Sequence, residues 1–265
     1  MVGTNAMEIF LHLEKSNCRE CGEKTCLAFA GSVFRGARRI DECPRLEKTV
    51  IVKFETQKSR QAKEDELAEY IAEMKEKVMQ LDFATTAERT GAKLSGDTLQ
   101  IPVLGKLFGL RRDGSFVTDL HVIPWVVVPL LEYVVNCPGF PVAGEWISFR
   151  EIPGGREKYA LFQKRGEEVL RDLADRYTDF FDDIIHMFDG RAVEKQFEAD
   201  VSVVLTPLPR VPMMICYWKP DEGMASTLNI FFDRSAGDNI GVDSAFSLGT
   251  GIAQMLGKLA THHGF

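Results

Sequence analysis

A chain of 265 residues, 45% hydrophobic and 27% charged, is long enough for one large domain or for a small module joined to a larger one, and its charge content is ordinary for a soluble protein. Residues 1–46 carry seven Lys and Arg against six Asp and Glu, so the net charge of −7 arises beyond them, and an acidic body argues against a nucleic-acid partner. The longest apolar stretch, VIPWVVVPLLEYVV, is broken by two prolines and a glutamate, and the first residues lack a signal-peptide pattern, so no membrane association and a cytoplasmic location are expected.

In chain order, the first feature is NCRECGEKTC, residues 17–26, followed by Cys43 directly before Pro44, which gives C-x2-C-x4-C-x16-C. Six cysteines in this length do not make a disulfide scaffold. Cys137 and Cys216 stand alone in apolar surroundings and read as small buried hydrophobes. Cys18, Cys21 and Cys26 lie on one tight loop, where Gly22 lets the backbone come close to a bound group. Thr25 is a good N-cap, and residues 27–40 place Leu27, Ala30, Val33, Phe34, Ala37 and Ile40 at helical spacing. Cys26 then sits at the positive end of a helix dipole, which favours a thiolate. Such a helix spans about 20 Å, so Cys43 rejoins the other three only if the chain folds back or the helix packs beside them. Three readings of the four thiols remain open: an iron–sulfur cluster, a structural zinc site, and two disulfides. Zinc usually shows two cysteine knuckles where this chain has one, and a cytoplasmic chain disfavours disulfides.

Residues 47–82 are charge-rich, and Leu67, Ile71, Met74, Val78 and Leu81 mark an amphipathic helix there. Residues 83–265 read as a mixed domain. Short strands joined by Ser-Gly-Asp and Arg-Asp-Gly turns come first. A helix from His121 to Asn136, capped by Asp119, is expected next, and then a loop, NCPGFPVAGEW. WISFREIPGG alternates and turns, residues 157–188 form one long or two short helices, and FEADVSVVLTPLPRVPMMICYW gives two strands about a proline-rich turn. STLNIFFD is another strand, and a helix closes the chain. The expected fold is α+β: a small helical cluster module over 1–46, a helical linker over 47–82, and a domain over 83–265 with a mainly antiparallel sheet and packed helices. There is no internal repeat and no low-complexity segment.

The stretch NCRECGEKTCLAFAGSVFRGARRIDECP resembles the 4Fe-4S module at the N-terminus of the corrinoid iron–sulfur protein large subunit of the acetyl-CoA pathway. The shared features are C-x2-C-G-x2-T-C, then L-A-F-A, a glycine and a late C-P, over about residues 10–46. The resemblance implies a 4Fe-4S cluster held by Cys18, Cys21, Cys26 and Cys43. The remainder of that subunit, a TIM barrel followed by a cobalamin domain, finds no counterpart: strands and helices do not alternate eight times, and no Asp-x-His-x-x-Gly signature occurs. LDFATTAERTGAKL, WISFREIPGG, LPRVPMMICYWKPDEG and NIFFDRSA instead resemble a domain-of-unknown-function family of anaerobes that often follows this module, spanning about 60–265.

In the body, His121 beside Trp125 offers an axial ligand to a corrinoid or haem, against the plainer role of a packed histidine. Arg150 and Arg156 flank a Pro-Gly-Gly turn that either cradles an anion or simply turns the chain. His186 fits core or surface, and His262 and His263 read as solvated. The carboxylates of residues 221–223 and Asp233 lack metal-site spacing. No Ser/His/Asp order, Walker loop or G-x-G-x-x-G occurs, and no catalytic residue stands out. The expected function is iron–sulfur electron transfer, reducing or holding a corrinoid (cobalamin) in the larger domain, with a redox protein or a corrinoid methyltransferase system as partner. The corrinoid cavity is expected between LHVIPWVVVPLLEYV and MMICYW, with His121 below the cobalt and Arg150 or Arg156 at the anionic edge. The alternatives are a redox-sensing or interaction protein whose cluster is structural or regulatory, and an enzyme that draws electrons from the cluster.

Overall fold

A computed structural model describes residues 5–263, with side chains described as far as Ala260. The chain divides into two compact units, up to Tyr70 and from Ile71 onward.

In the first unit, α1 (Ala6–His12) is capped by Asn5, whose side chain accepts the Glu8 N–H at 2.9 Å. The helix α2 (Cys26–Phe34) is capped by Thr25, which accepts the Ala28 N–H at 3.0 Å. The expected helix over 27–40 stops at Phe34. Gly36 is left-handed (φ 75°), and the N–H groups of Ala37 and Arg38 turn back to the Ser32 carbonyl, at 2.9 and 3.2 Å. A single 3-10 turn at Ile40–Glu42 then delivers Cys43, and the fold-back that Cys43 requires is made by these two turns. A core of Ile9, Leu13, Phe29, Ala30, Val33, Ile40, Cys43, Leu46 and Phe54 lies beneath, with Cys21 and Cys26 packed partly against it. The long helix α3 (Lys48–Met79) starts well before the apolar repeat that announced it. Its stretch from Glu55 to Tyr70 is mostly exposed and carries i,i+4 pairs, Arg60–Glu64 and Gln61–Asp65, both at 2.9 Å.

In the second unit, Met74 and Val78 of α3 are buried, and α4 (Phe83–Thr90) runs from its Asp82 cap to a left-handed Gly91. The strands β1 (Lys93–Ser95), β2 (Thr98–Val103), β3 (Lys106–Arg111) and β4 (Phe116–Val117) form an antiparallel sheet in that order. Leu104 and Gly105 make the tight β2–β3 turn, both with positive φ (48° and 74°). The helix α5 (Pro124–Asn136) follows. It begins three residues later than expected, because Ile123 precedes a proline and is extended (φ −117°, ψ 148°), and no side chain caps it. His121 thus lies in the segment ahead of the helix, and Asp119 does not cap it.

The second sheet is antiparallel throughout, ordered β5-β9-β8-β7-β6 from β5 (Trp146–Ser148), β6 (Arg191–Ala192), β7 (Val201–Leu208), β8 (Val211–Trp218) and β9 (Thr227–Asp233). Between β5 and β6 come α6 (Gly155–Phe162), a π-helical turn at Gln163–Glu167, α7 (Glu168–Arg176) and α8 (Phe180–Phe188). The closing helix α9 (Ala236–His263) is kinked at Gly241 (φ 69°) and packs on α5, α7, β8 and β9. Phe149 and Phe162 stack at 4.0 Å between ring centroids, with Phe232 and Phe246 around them, at the centre of this core. The chain is α+β, with a helical N-terminal region and two antiparallel sheets. Among the described residues, no helix is long and apolar enough to cross a membrane.

Candidate metal centre

Cys18, Cys21 and Cys26 come from the loop between α1 and α2, and Cys43 comes from the 3-10 turn. All four line one small cavity, together with Leu13, Glu14, Glu23, Phe29 and Arg45. The loop bends by left-handed backbone at Lys15 (φ 62°), Asn17 (51°), Arg19 (64°) and Gly22 (82°). Repeated left-handed residues turn N–H groups into an anion-binding concavity of the kind that surrounds many iron–sulfur clusters. Asn17 and Gly22 adopt this conformation readily, whereas at Lys15 and Arg19 the bend costs roughly 1 kcal/mol or more each. Asn17 fixes the loop to α2: its Oδ1 accepts the Cys26 N–H at 2.8 Å. Gly22 is favoured by its φ of 82°, while the Arg38 guanidinium, 3.1 Å from where a Cβ would sit, is the end of a flexible side chain that can yield.

Burial pushes the Cys43 thiol up, the Arg45 N–H pulls it down, and the nearby thiols of Cys21, Cys18 and Cys26 push it up again. Four bare thiolates therefore repel one another, and a cationic group between them removes that conflict. Among the described residues, no three His, Cys, Asp or Glu side chains are arranged to hold one metal ion. A single zinc would draw four sulfurs to about 3.8 Å from one another. In a multi-iron group each of the four sulfurs instead meets a different metal atom. The donor set and the backbone fit such a group.

None of the residues expected to hold a corrinoid lines one of the three best-formed cavities. His121 is exposed in an irregular segment. Trp125, in the first turn of α5, lies against Gly251 of α9, where there is no room for a Cβ. Arg150 is exposed, with its guanidinium 4.8 Å above the Tyr159 ring and its Nε donating to Ser148 Oγ at 3.4 Å. Arg156 is exposed in the first turn of α6. Gly155 belongs to a tight turn in which a Cβ would strike the Phe149 carbonyl. The expected cavity between the α5 segment and β8 is instead packed core, because α9 lies against both elements. A cavity of about 240 Å³ occurs between α7, α8 and α9, lined by Leu173, Phe180, Met187 and Leu256 and by the exposed Asp183 and His186. The side chains of His262 and His263 lie outside the described residues. Cys137 and Cys216 are both buried, as expected.

Sequence reasoning missed three groups. Arg45 lines the cysteine cavity and pairs with Glu14 and Glu20; its place two residues after Cys43 was the available signal. Glu167, buried in the π-helical turn, accepts from Ile230 N–H at 3.0 Å and Tyr159 hydroxyl at 3.1 Å. Asp233, fully buried, accepts from Ala143, Gly144 and Ser235.

A family model described as "Domain of unknown function (DUF3786)" matches residues 82–255, well over half the chain. A second, described as "Putative Fe-S cluster", matches residues 13–45. The chain is similar to the corrinoid/iron-sulfur protein large subunit of Moorella thermoacetica, 50% identical over 38 residues, which is 14% of this chain and 8% of that protein. It is also similar to the acetyl-CoA decarbonylase/synthase complex subunit gamma of Methanocaldococcus jannaschii, 39% identical over 56 residues, 21% of this chain and 11% of that one. The chain thus spans only about a tenth of the length of these relatives, through the N-terminal segment. No solved structure matches it.

Proposed function

We propose that this chain, which belongs to the DUF3786 family, is a one-electron carrier whose N-terminal unit holds a 4Fe-4S cluster on Cys18, Cys21, Cys26 and Cys43. The observation that carries the reading is the convergence of these four thiols on one cavity, walled by a loop with repeated left-handed residues. When bound, such a cluster accepts and releases one electron. The protein's own residues supply the rest. The four thiols are the ligands, the positive end of α2 meets the Cys26 sulfur, and the loop N–H groups favour an anionic group. Leu13 and Phe29 restrict water at the inner wall.

A corrinoid protein is the proposed electron acceptor, by analogy with the named relatives, a corrinoid/iron-sulfur protein subunit and a decarbonylase/synthase complex subunit. The corrinoid is assigned to the partner rather than to this chain. The 240 Å³ cavity of the second unit falls below the range of ordinary small-molecule pockets and far below a macrocycle. A structural or sensing role is the second reading, favoured by the small core of the first unit.

Anaerobic purification with iron, zinc and sulfide analysis tests the proposal, with electron paramagnetic resonance of the reduced protein. About four iron and four sulfide per chain are expected, lost on replacing any of the four cysteines by serine. Stoichiometric zinc without sulfide would overturn it.

A further inference from the structure

We infer that Arg45, held between Glu14 and Glu20 beside the four cysteines, sets the reduction potential of the cluster; the inference rests on the proposed site above. Arg45 lines the same cavity as the thiols, and so does Glu14. Its Nη1 donates to Glu14 Oε2 at 3.2 Å, while Nε and Nη2 fork onto Glu20 at 3.3 and 2.5 Å. The three charges come from three separate segments: the end of the α1 region, the interval between Cys18 and Cys21, and the residue after Pro44. All three side chains are roughly half exposed, and pairs of that kind add little to folding stability. Their position gives them another effect.

A cluster on four thiolates is anionic, and reduction adds one more negative charge. A cation in its wall stabilises the reduced form more than the oxidised one, and a carboxylate does the reverse. The trio as it stands carries one net negative charge. Without Arg45 it would carry two, and without Glu20 none. The fork geometry explains why arginine serves here: it holds both carboxylates at once in a fixed place.

The opposite signs give a test that a mere clamp fails. Wild type, Arg45→Gln, Arg45→Lys and Glu20→Gln are loaded anaerobically, checked for iron and sulfide, and titrated by potential under paramagnetic resonance. A charge a few ångströms away changes the reduced-to-oxidised ratio by about tenfold, or 59 mV for one electron. Arg45→Gln should move the midpoint down by about that amount and Glu20→Gln should move it up, with Arg45→Lys near wild type. If Arg45→Gln fails to load, Glu20→Gln against wild type and Arg45→Lys carries the comparison. Loaded variants whose midpoints stay put, or move in the same direction, overturn the inference alone. A wild-type protein that binds neither iron nor sulfide overturns the cluster reading, and this inference with it.

Discussion

Replacing Asp233 by alanine should destabilise the second unit by about 2–4 kcal/mol. The carboxylate ends β9, is fully buried, and accepts four bonds: Ala143 N–H at 2.9 Å, Gly144 N–H at 2.7 Å, Ser235 N–H at 3.0 Å and Ser235 hydroxyl at 2.6 Å. Ala143 and Gly144 are exposed, so their N–H groups regain water when the acceptor is removed. The Ser235 N–H and hydroxyl are buried and do not, at about 1–2 kcal/mol for each group left unsatisfied. At about 2–4 °C per kcal/mol for a domain of this size, the melting midpoint should fall by about 5–15 °C. All three tryptophans, Trp125, Trp146 and Trp218, lie in this unit, and Trp146 pairs with Asp233 across β5–β9, so fluorescence reports its unfolding. Burial alone would raise the carboxyl's pKa, but the bonds from Ser235, Ala143 and Gly144 outweigh it and hold it below the ordinary carboxylate range. The folded value is lower than the unfolded one, so the stabilisation is fully present above about pH 4 and is lost as pH falls through the folded value. The gap between wild type and Asp233→Asn should therefore stay level from pH 7 to 5 and close below about pH 4. An alanine variant within about 0.5 kcal/mol of wild type, or a gap that widens in acid, would refute the reasoning.

Two further outcomes are expected. Glu167 takes the Ile230 N–H just beyond the point where β5 ends its pairing with β9 at Ser148 and Phe231, and burial pushes its carboxyl up despite that bond. A raised pKa means its contribution is greatest below the unfolded value and fades as pH rises through the folded one, so Glu167→Gln should gain on wild type in urea titrations as pH rises above the ordinary carboxylate range, while Glu167→Leu loses about 1–3 kcal/mol by orphaning the N–H. Cys137→Ala and Cys216→Ala should each cost about 1 kcal/mol of stability for the buried group removed and leave iron content unchanged on metal analysis.

Much of the fold is legible in the residues. Alternating strands with Gly-Asp and Asp-Gly turns predict the first sheet, and the four cysteines announce themselves by spacing. The misreadings have local causes. Apolar periodicity runs on through Ala37 and Ile40, so α2 seems longer than it is, although Gly36 carries the stop signal. Pro124 sets the start of α5, and the three residues ahead of it, His121 among them, are irregular. Richness in aromatic and aliphatic side chains suggests a cavity at α5 and β8, yet the same richness makes a filled core. Gly249 and Gly251 of α9 admit Phe162 and Trp125 there, which no sequence period reveals. The left-handed Lys15 and Arg19 are invisible for a different reason. The surrounding structure imposes their conformation, and their residue types do not announce it. Glu167 looks like one more charge on an outer helix face until the π-helical turn buries it.

The two readings of the cluster, electron carrier and structural staple, follow from one arrangement in the first unit. Its core consists of nine buried residues, one of them Cys43, with Cys21 and Cys26 packed at the edge. A core of that size scarcely offsets the entropy of ordering its chain, and the loop adds the cost of left-handed Lys15 and Arg19. Metal binding in such a module is coupled to folding, because the ligand shell exists only in the folded loop. The second unit rests on two sheets and a phenylalanine core of its own. Oxidative loss of a cluster would therefore loosen residues up to about Tyr70 while the second unit keeps its cooperative core. On the carrier proposal the four thiols hold the redox group, and on the staple proposal the same ligand shell couples cluster loss to unfolding of the first unit. The carrier reading fixes what the four cysteines do from moment to moment, and the staple reading explains why so small a unit folds around them at all.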